Sequence, residues 1–305
     1  MKYDKKQLAI LILISPFILC AQAESVFNNI KMEMSLQTVA QKLTGISEDS
    51  EIISVEEPNF PLAVTKEAHL VCTNVKTDHG LLHSVVFTFA DDQLKYILAK
   101  GNVYPVFAEK RSDTAMVYMG YEVYFSDKLF LNKKKGLAWI LTDEAMHPNL
   151  FTWVNPYIDP NYKPEAKPTP TDRIPSFLKI GALMEELKPV FEKNSDFTVM
   201  EELDGSDPNA QIQINCFGVE YLGFPRKVEA RFGDNRLNMV WILTGKGDEG
   251  KIRKALIEQY GQPIFVNEDW EIFNEWQVGL RKDKPEVLLM EKKIGLEYKT
   301  SYFKQ

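Results

Sequence analysis

Two groups of residues in this 305-residue chain have types and spacings that suggest metal or phosphate chemistry. His79 and His83 lie four residues apart, with His69 and Cys72 nearby, and these are residue types that bind zinc. Gly80 interrupts the helix on which this spacing would bring two ligands together, and on a strand the same spacing separates them by about 13 Å. We therefore expect structural or surface histidines and assign no metal ligand.

A glycine-rich segment at residues 245–252 fits the phosphate-loop pattern G-x-x-x-x-G-K, between a predicted strand and a predicted helix. Ile252 stands where the Mg²⁺-binding Ser or Thr belongs, and Asp248 and Glu249 would repel phosphate. A turn that leads into a helix capped by Asp248 explains the same residues. Since no other cofactor or catalytic motif occurs, we predict no cofactor and assign no catalytic residue.

Cys72 and Cys216 are the cysteines that remain after a predicted export signal, and they occupy matching places in an internal repeat. Exported proteins commonly form disulfides, and matching residues near a pseudo-twofold axis approach each other. A Cys72–Cys216 disulfide is therefore one interpretation. The other is a pair of buried thiols in two separate cores.

The internal repeat organises the whole chain. The run after Cys72 ends FTFADDQL at Leu94, and the run after Cys216 ends ARFGDNRL at Leu237, about 144 residues later. A helical pattern precedes each run, with apolar positions Leu36, Val39 and Leu43 in the first half and Leu183, Leu187 and Phe191 in the second. A second match pairs residues 129–139 with 288–298 at an offset of 159, which predicts about 16 extra residues in the second half.

A helix over about residues 249–260 would supply those extra residues, because residues 101–114 of the first half are too short and too interrupted by proline. Each half then reads as an antiparallel sheet with one or two helices on one face. We predict an α+β fold of two tandem units, residues 24–154 and 176–305, joined by a proline-rich linker at 155–175.

Four residues form the candidate interaction surface. Period-two alternation over residues 117–125 would place Tyr118 and Tyr124 together, opposite the apolar side chains. A second packed layer or a contact between the units would also account for them. Ile252 and Tyr260 lie on the helix expected only in the second unit. The aromatic segment 147–153, which contains Trp153, either wedges between the units or docks a partner.

The N-terminus predicts export. Three lysines precede an apolar run at residues 8–19, and Ala21-Gln22-Ala23 matches a cleavage site, so the mature chain would begin at Glu24. A lipoprotein signal is not favoured, because Leu19 is not the small residue required before Cys20. We expect a periplasmic or secreted protein that is not an integral membrane protein, since no later apolar stretch is long enough to span a bilayer.

These observations favour a non-catalytic protein that binds an envelope or secreted protein. Removal of residues 1–23, which hold three basic and one acidic residue, changes the formal net charge from −7 to −9, and this argues against nucleic acid as a partner. Two alternatives stay open. One is a small-ligand carrier with a large apolar cavity between the units. The other is an envelope-polymer hydrolase with a carboxylate pair in the cleft between the units, from acids such as Glu201, Glu202, Glu268 and Asp269.

Overall fold

The computed structural model describes residues 26–164 and 173–303. The predicted signal peptide and residues 165–172 of the predicted linker lie outside these ranges. Within them the chain forms two eight-stranded antiparallel sheets, each accompanied by a few helices. The predicted α+β fold with two similar units is therefore confirmed.

The first unit is a helix followed by eight strands, with a short helix between the fourth and fifth strands and another after the eighth. Its elements are α1 (Leu36–Leu43), β1 (Asp49–Val55), β2 (Glu67–Thr77), β3 (Gly80–Ala90), β4 (Gln93–Gly101), α2 (Val103–Phe107), β5 (Met116–Tyr118), β6 (Tyr121–Tyr124), β7 (Leu129–Asn132), β8 (Leu137–Leu141) and α3 (Asp143–Met146). Two 3-10 turns follow, at Leu150–Thr152 and Pro156–Ile158.

The second unit repeats this plan and ends in a longer helix. Its elements are α4 (Met184–Lys193), β9 (Phe197–Glu202), β10 (Ile212–Tyr221), β11 (Phe224–Gly233), β12 (Arg236–Leu243), α5 (Glu249–Tyr260), β13 (Phe265–Val266), β14 (Trp270–Phe273), β15 (Val278–Arg281), β16 (Glu286–Met290) and α6 (Lys292–Ser301).

The two sheets have the same strand order. The first runs β1-β2-β3-β4-β8-β7-β6-β5, and adding eight to each number gives the second, β9-β10-β11-β12-β16-β15-β14-β13. The matched turns also agree, because Asp91 and Asp92 between β3 and β4, like Asp234 and Asn235 between β11 and β12, all have positive φ. Two consecutive positive φ angles are what a tight two-residue hairpin requires.

The second sequence match is out of register with the folded repeat. Residues 129–132 form β7, whereas residues 288–290 end β16 and residues 292–298 lie in helix α6. Strand pairing gives the true correspondence, because Leu98 faces Trp139 in the first sheet and Trp241 faces Leu288 in the second. Trp139 therefore corresponds to Leu288, and the second unit has about 6 extra residues before this strand instead of about 16.

Helix α5 has a shorter counterpart in the first unit. Helix α2 has 5 residues and contains Pro105, while α5 has 12 residues, and each connects the fourth strand of its unit to the fifth. The expectation that residues 101–114 hold no such helix is thus corrected. Proline lacks the N–H needed for a helix interior but is accepted within the first turn, so α2 forms and stays short.

Each sheet packs one face, called here the first face, against the helices of its own unit. Val39 and Leu43 of α1 are buried on the first sheet, and Leu187 of α4 with Ile252 and Leu256 of α5 are buried on the second. Complete burial of such a side chain contributes about 1.5–3 kcal/mol to folding. The opposite face of each sheet, the second face, is covered differently in the two units.

Trp153 packs between the units, and this confirms the wedge predicted for the aromatic segment. Its ring centroid lies 5.2 Å from Phe224 of β11 and 5.7 Å from Phe60 of the first unit. Its carbonyl oxygen accepts hydrogen bonds from Tyr96 Oη at 2.7 Å and from Trp139 Nε1 at 2.8 Å. Ile158 is buried in the same core, so the chain at 153–158 packs against the first unit.

Candidate functional site

The second face of the first sheet is closed by the chain that follows β8. Leu150, Phe151 and Ile158 are buried there against Trp139 and other apolar side chains of the sheet. Phe151 stacks on a strand residue, Phe130, with ring centroids 4.3 Å apart. This face is therefore an apolar core.

The second face of the second sheet is divided into an aromatic part and a polar part. Helix α6 and Phe303 cover the aromatic part, where Trp270 and Trp276 pack. The polar part lies on β9, β10 and β11, and we call its side chains the polar network: Glu201, Gln213, Asn215, Lys227, Glu229 and Arg231.

The polar network is connected by hydrogen bonds from one strand to the next. Glu201 Oε1 accepts from Gln213 Nε2 at 2.9 Å and from Asn215 Nδ2 at 2.7 Å. Arg231 Nε in turn donates to Gln213 Oε1 at 2.8 Å. Gln213 and Asn215 are almost completely buried, and Gln213, which also donates to Asn215, holds the Arg231 guanidinium in one orientation.

Glu229 is the acid at the centre of the network. It accepts from Lys227 Nζ at 2.8 Å and from Arg231 Nη2 at 3.0 Å. Burial alone would raise the pKa of Glu229, but the neighbouring charges and hydrogen bonds of Lys227 and Arg231 outweigh it and lower the pKa below the usual range. Glu229 is therefore an ionised acceptor at neutral pH.

A pocket of about 410 Å³, which we call the inter-unit pocket, opens at the edge of this network. The first unit contributes His147 and Asn149 from the chain after α3. The second unit contributes the remaining wall, which consists of Glu229, Arg231, Trp241, Leu243, Arg281, Glu286 and Tyr302.

Trp241 lines the inter-unit pocket, and its side chain carries a buried, unpaired donor. The side chain is 8% exposed, and within residues 26–164 and 173–303 its indole Nε1 has no hydrogen-bond partner. The Arg231 guanidinium lies 5.7 Å from the centroid of its ring. An unpaired buried N–H costs about 1–3 kcal/mol, so this donor is a feature that a bound acceptor would explain.

Arg281 and His147 also line the pocket. Arg281 donates from Nε and Nη2 to the two carboxylate oxygens of Asp283, at 2.6 and 3.0 Å, and its Nη1 lies 3.6 Å from Glu286 Oε2. His147 Nε2 lies 3.1 Å from Glu286 Oε1, close enough for an ion pair when the imidazole is protonated but not aligned for a hydrogen bond. The contact between His147 and Glu286 joins the first unit to the second.

A second pocket of about 230 Å³ shares His147 and borders the same inter-unit surface. Its other residues are polar or small: Asp143, Glu144, Thr244, Gly245, Lys246, Asp283, Lys284 and Pro285. His147 thus lines both pockets.

The first unit has different residues at the positions that build the inter-unit pocket. Strand pairing makes Val86 and Thr88 the counterparts of Glu229 and Arg231, and Leu98 the counterpart of Trp241. All three of these first-unit residues are buried. The two copies have therefore diverged at the site, with one face kept as a core and the other polar and partly open.

Tyr118 and Tyr124 lie on opposite faces of the first sheet, whereas the sequence analysis placed them on one face. Met119 and Gly120 form a tight turn with positive φ, so residues 116–124 are a hairpin of β5 and β6 and not one strand. The turn reverses the alternation. Tyr118 packs near Phe151 on the second face, and Tyr124 belongs to the core on the first face.

Tyr118 nevertheless lies close to the candidate site. Burial raises the pKa of its hydroxyl, and the carboxylates of Glu201 and Glu229 raise it further. This places the β5–β6 turn of the first unit beside the polar network of the second.

Ile252 and Tyr260 face their own sheet. Ile252 is fully buried in the core under α5, and Tyr260 packs partly against the same core. The apolar stripe that suggested a contact surface is the buried side of helix α5. Ile252 is therefore not part of an interaction surface.

Cys72 and Cys216 are free thiols, each completely buried in the core of its own unit. Burial raises the pKa of Cys72 to about 11 and that of Cys216 to about 12. Of the two predicted arrangements, the structure therefore has the one with a buried thiol in each of two separate cores.

The glycine-rich loop packs against the first unit. Gly247 donates its backbone N–H to the carbonyl oxygen of Pro61 at 3.0 Å, and a Cβ on Gly245 would lie 2.2 Å from the same oxygen. Asp248 makes no capping bond, in contrast to the prediction, because it pairs instead with the buried Arg226 at 2.5 Å. The glycines therefore serve close packing between the units.

The histidines considered as metal ligands lie apart. His69 is buried and bonded to Glu67 and Thr88, whereas His79 and His83 are exposed. Residues 26–164 and 173–303 contain no group of three or more His, Cys, Asp or Glu side chains arranged to hold a metal ion.

The acids proposed for a hydrolase do not meet. Glu201 and Glu202 lie on edge strand β9, and Glu268 and Asp269 precede β14 near the other edge. Six strand spacings separate β9 from β14, which corresponds to about 29 Å. These four acids are therefore not assigned to a catalytic pair, and the hydrolase alternative itself stays a prediction.

The sequence holds one signal for the site that our sequence analysis missed. Lys227, Glu229 and Arg231 alternate with Val228, Ala230 and Phe232, the pattern of a strand with one polar face. The pairing of that face with His147 depends on how the units dock, and no local pattern encodes it.

Comparison with known proteins found no matching family model, no matching curated protein and no matching solved structure. Within the described ranges, no helix is long and apolar enough to cross a membrane.

Proposed function

We propose that this protein is exported and acts by binding, without catalysis, an envelope or secreted component at the inter-unit pocket. The buried and unpaired indole N–H of Trp241 is the observation that carries this proposal. A donor held in that state beside two oriented guanidinium groups, Arg231 and Arg281, is suited to an acceptor from outside the chain.

Charge supports binding over hydrolysis. Glu229 and Glu286 line the pocket on β11 and β16, two strand spacings or about 10 Å apart. A glycosidase of this geometry needs one carboxylic acid that stays protonated. The pKa of Glu229 is instead lowered, and Glu286 lies beside Arg281 and His147.

Site-specific cross-linking tests the proposal. A photoreactive benzophenone amino acid replaces Tyr302, an aromatic residue that is 44% exposed and lines the pocket. The matched control carries it at Phe125, which is 51% exposed and lies outside the pocket. Both full-length chains are expressed in the native host, and the mature N-terminus is read by mass spectrometry.

We expect export with cleavage before Glu24, and a cross-linked product from position 302 that is absent from position 125. Arg231→Gln or Trp241→Phe should strongly reduce that product, and Arg236→Gln, an exposed control arginine, should not. Identical products from both positions, or a product insensitive to Arg231 and Trp241, would contradict binding at this pocket. Retention in the cytoplasm would contradict the export proposal.

A further inference from the structure

We infer that the inter-unit pocket recognises a neutral, hydroxyl-rich ligand, and that this ligand is a saccharide unit. The inference rests on the proposed function and adds the class of ligand. It is carried by three properties of the pocket: balanced charge, a fixed set of donors and acceptors, and an aromatic wall.

The charges in the wall cancel in contacting pairs. The lining holds two guanidinium groups and two carboxylates: Arg231 is 3.0 Å from Glu229, and Arg281 is 3.6 Å from Glu286. Asp283, which is 2.6 Å from Arg281, does not line this pocket. An anionic ligand would approach two carboxylates, and a cationic ligand would approach two guanidinium groups. Since neither sign of charge is in excess, a neutral polar ligand meets the smallest electrostatic opposition.

The free hydrogen-bonding capacity matches hydroxyl groups. Trp241 Nε1 is an unpaired donor, and Arg231 Nη1 and Arg281 Nη1 have N–H groups beyond those used on their own partners. Glu229 and Glu286 are acceptors in the same wall. A hydroxyl donates and accepts at once, so a polyhydroxylated ring can satisfy both kinds of group from one side.

The aromatic side chains provide a surface for the apolar face of a sugar ring. Tyr302, which is 44% exposed, lines the pocket together with Trp241 and Leu243. Aromatic rings combine apolar contact area with a polar tip. The C–H groups of a pyranose ring form such an apolar face, whereas small inorganic ions have none.

The binding groups are oriented before a ligand arrives. Gln213 and Glu229 hold Arg231, and both carboxylate oxygens of Asp283 hold Arg281. Fixed side chains lose less entropy on binding, which matters for a ligand that offers only neutral hydrogen bonds. The second pocket shares His147 with this one and offers about 230 Å³ for a further ring.

Ligand-observed NMR on the mature chain, residues 24–305, tests this inference. The probes are glucose, N-acetylglucosamine and its β-1,4-linked disaccharide as neutral saccharides, with citrate, inorganic phosphate and putrescine as charged comparisons. The variants are Trp241→Phe, which removes the indole N–H and keeps a ring, and Arg231→Lys, which keeps the charge and loses the planar fork. Trp276→Phe is the control, because Trp276 is 9% exposed in the same unit but does not line the pocket.

We expect saturation transfer to at least one neutral saccharide and none to the ions. Trp241→Phe and Arg231→Lys should weaken binding about tenfold each, as the loss of one buried hydrogen bond predicts, while Trp276→Phe changes it less than twofold. Thermal unfolding of each variant confirms that it is folded.

Three results would overturn the saccharide inference. If citrate or phosphate binds in a Trp241-dependent manner, the pocket is the site and the proposed function stands, but the ligand is an anion. If a saccharide binds equally to wild type and Trp241→Phe, it binds elsewhere. If no saccharide binds at millimolar concentration, the pocket takes another class of partner, which the cross-linking from position 302 detects independently.

Discussion

Gly247 of the second unit donates its backbone N–H to the carbonyl oxygen of Pro61 in the first unit, across 3.0 Å. The side chain of Lys251 reaches the same segment and donates to Asn59 Oδ1 at 3.2 Å. These contacts lie next to Gly245, which also borders the second of the two pockets on the inter-unit surface. The docking of the units is therefore part of what shapes the site.

Gly245→Ala should destabilise the protein, because the new Cβ would lie 2.2 Å from the carbonyl oxygen of Pro61. We expect a loss of about 1–3 kcal/mol in the free energy of unfolding, measured by urea titration with tryptophan fluorescence. Gly250→Ala is the matched control, since nothing lies within 4 Å of its Cβ and it occupies the first turn of α5. That variant should be unchanged or more stable by up to about 1 kcal/mol. Equal effects of the two substitutions would refute close packing at Gly245.

Asp248→Asn should be far more damaging than neutralisation of an exposed acid. Arg226 and Asp248 are both almost fully buried and 2.5 Å apart, so the substitution leaves the Arg226 charge without its counter-ion. We expect a loss of about 3–5 kcal/mol in the free energy of unfolding. Glu258→Gln, which removes the exposed Lys254–Glu258 pair, should change it by less than about 0.5 kcal/mol. The idea fails if denaturant titrations give the two variants similar midpoints.

The fold was predictable from the sequence where the same turn residues recur in both units. Asp91-Asp92 and Asp234-Asn235 mark equivalent two-residue turns, and once they are aligned the strands on either side fall into register. Cys72 and Cys216 follow from the same alignment, since both lie on the second strand of a unit. Turn residues act over a few positions, so the sequence carries this information directly.

The match between residues 129–139 and 288–298 shows that similar residues can occupy different structural positions in the two units. Gly136 follows the lysines of a hairpin turn and has a φ of +62°, which favours glycine. Gly295 lies in helix α6, and there a Cβ would be 1.9 Å from the carbonyl oxygen of Trp276. One glycine is required by backbone conformation and the other by close packing, and sequence comparison does not separate the two causes.

The candidate site was only partly predictable, because some of its contacts join residues that are far apart in the sequence. The alternation of Lys227, Glu229 and Arg231 indicates a polar strand face, because side chains on a strand point to opposite sides in turn. His147 meets Glu286 from about 140 residues away in the chain. That contact depends on how the two complete units pack against each other. Many weak contacts spread over both surfaces determine this packing, so no short sequence motif predicts it.

The stability that Glu67 contributes to the folded protein should be lost in acid. Burial alone would raise the pKa of this carboxyl group, but hydrogen bonds from His69 and from the backbone N–H groups of Asn59 and Phe60 lower it below its ordinary value of 4.5. A carboxyl group whose pKa is lower in the folded state adds stability above the unfolded value, and this contribution is lost as the pH falls through the folded value.

Urea titrations between pH 6 and pH 3 test this prediction. Below about pH 4.5 the free energy of unfolding should fall more steeply with decreasing pH in wild type than in Glu67→Gln, which has no proton to gain at this position. Glu57→Gln, at an exposed acid of the connection between β1 and β2, should retain the wild-type slope. Parallel curves for wild type and Glu67→Gln would show that Glu67 titrates alike in the folded and unfolded chains.

The two core cysteines should be unreactive in the folded protein. Burial raises the pKa of Cys72 to about 11 and of Cys216 to about 12, so the nucleophilic thiolate is scarce at pH 8 and reagents have no access to it. We expect iodoacetamide to label neither Cys72 nor Cys216 of a chain of residues 24–305 under native conditions. In denaturant without reductant it should label both, as mass spectrometry will show by two added groups. Failure to label the denatured chain until a reductant is added would establish a Cys72–Cys216 bond and overturn the arrangement with one thiol in each core.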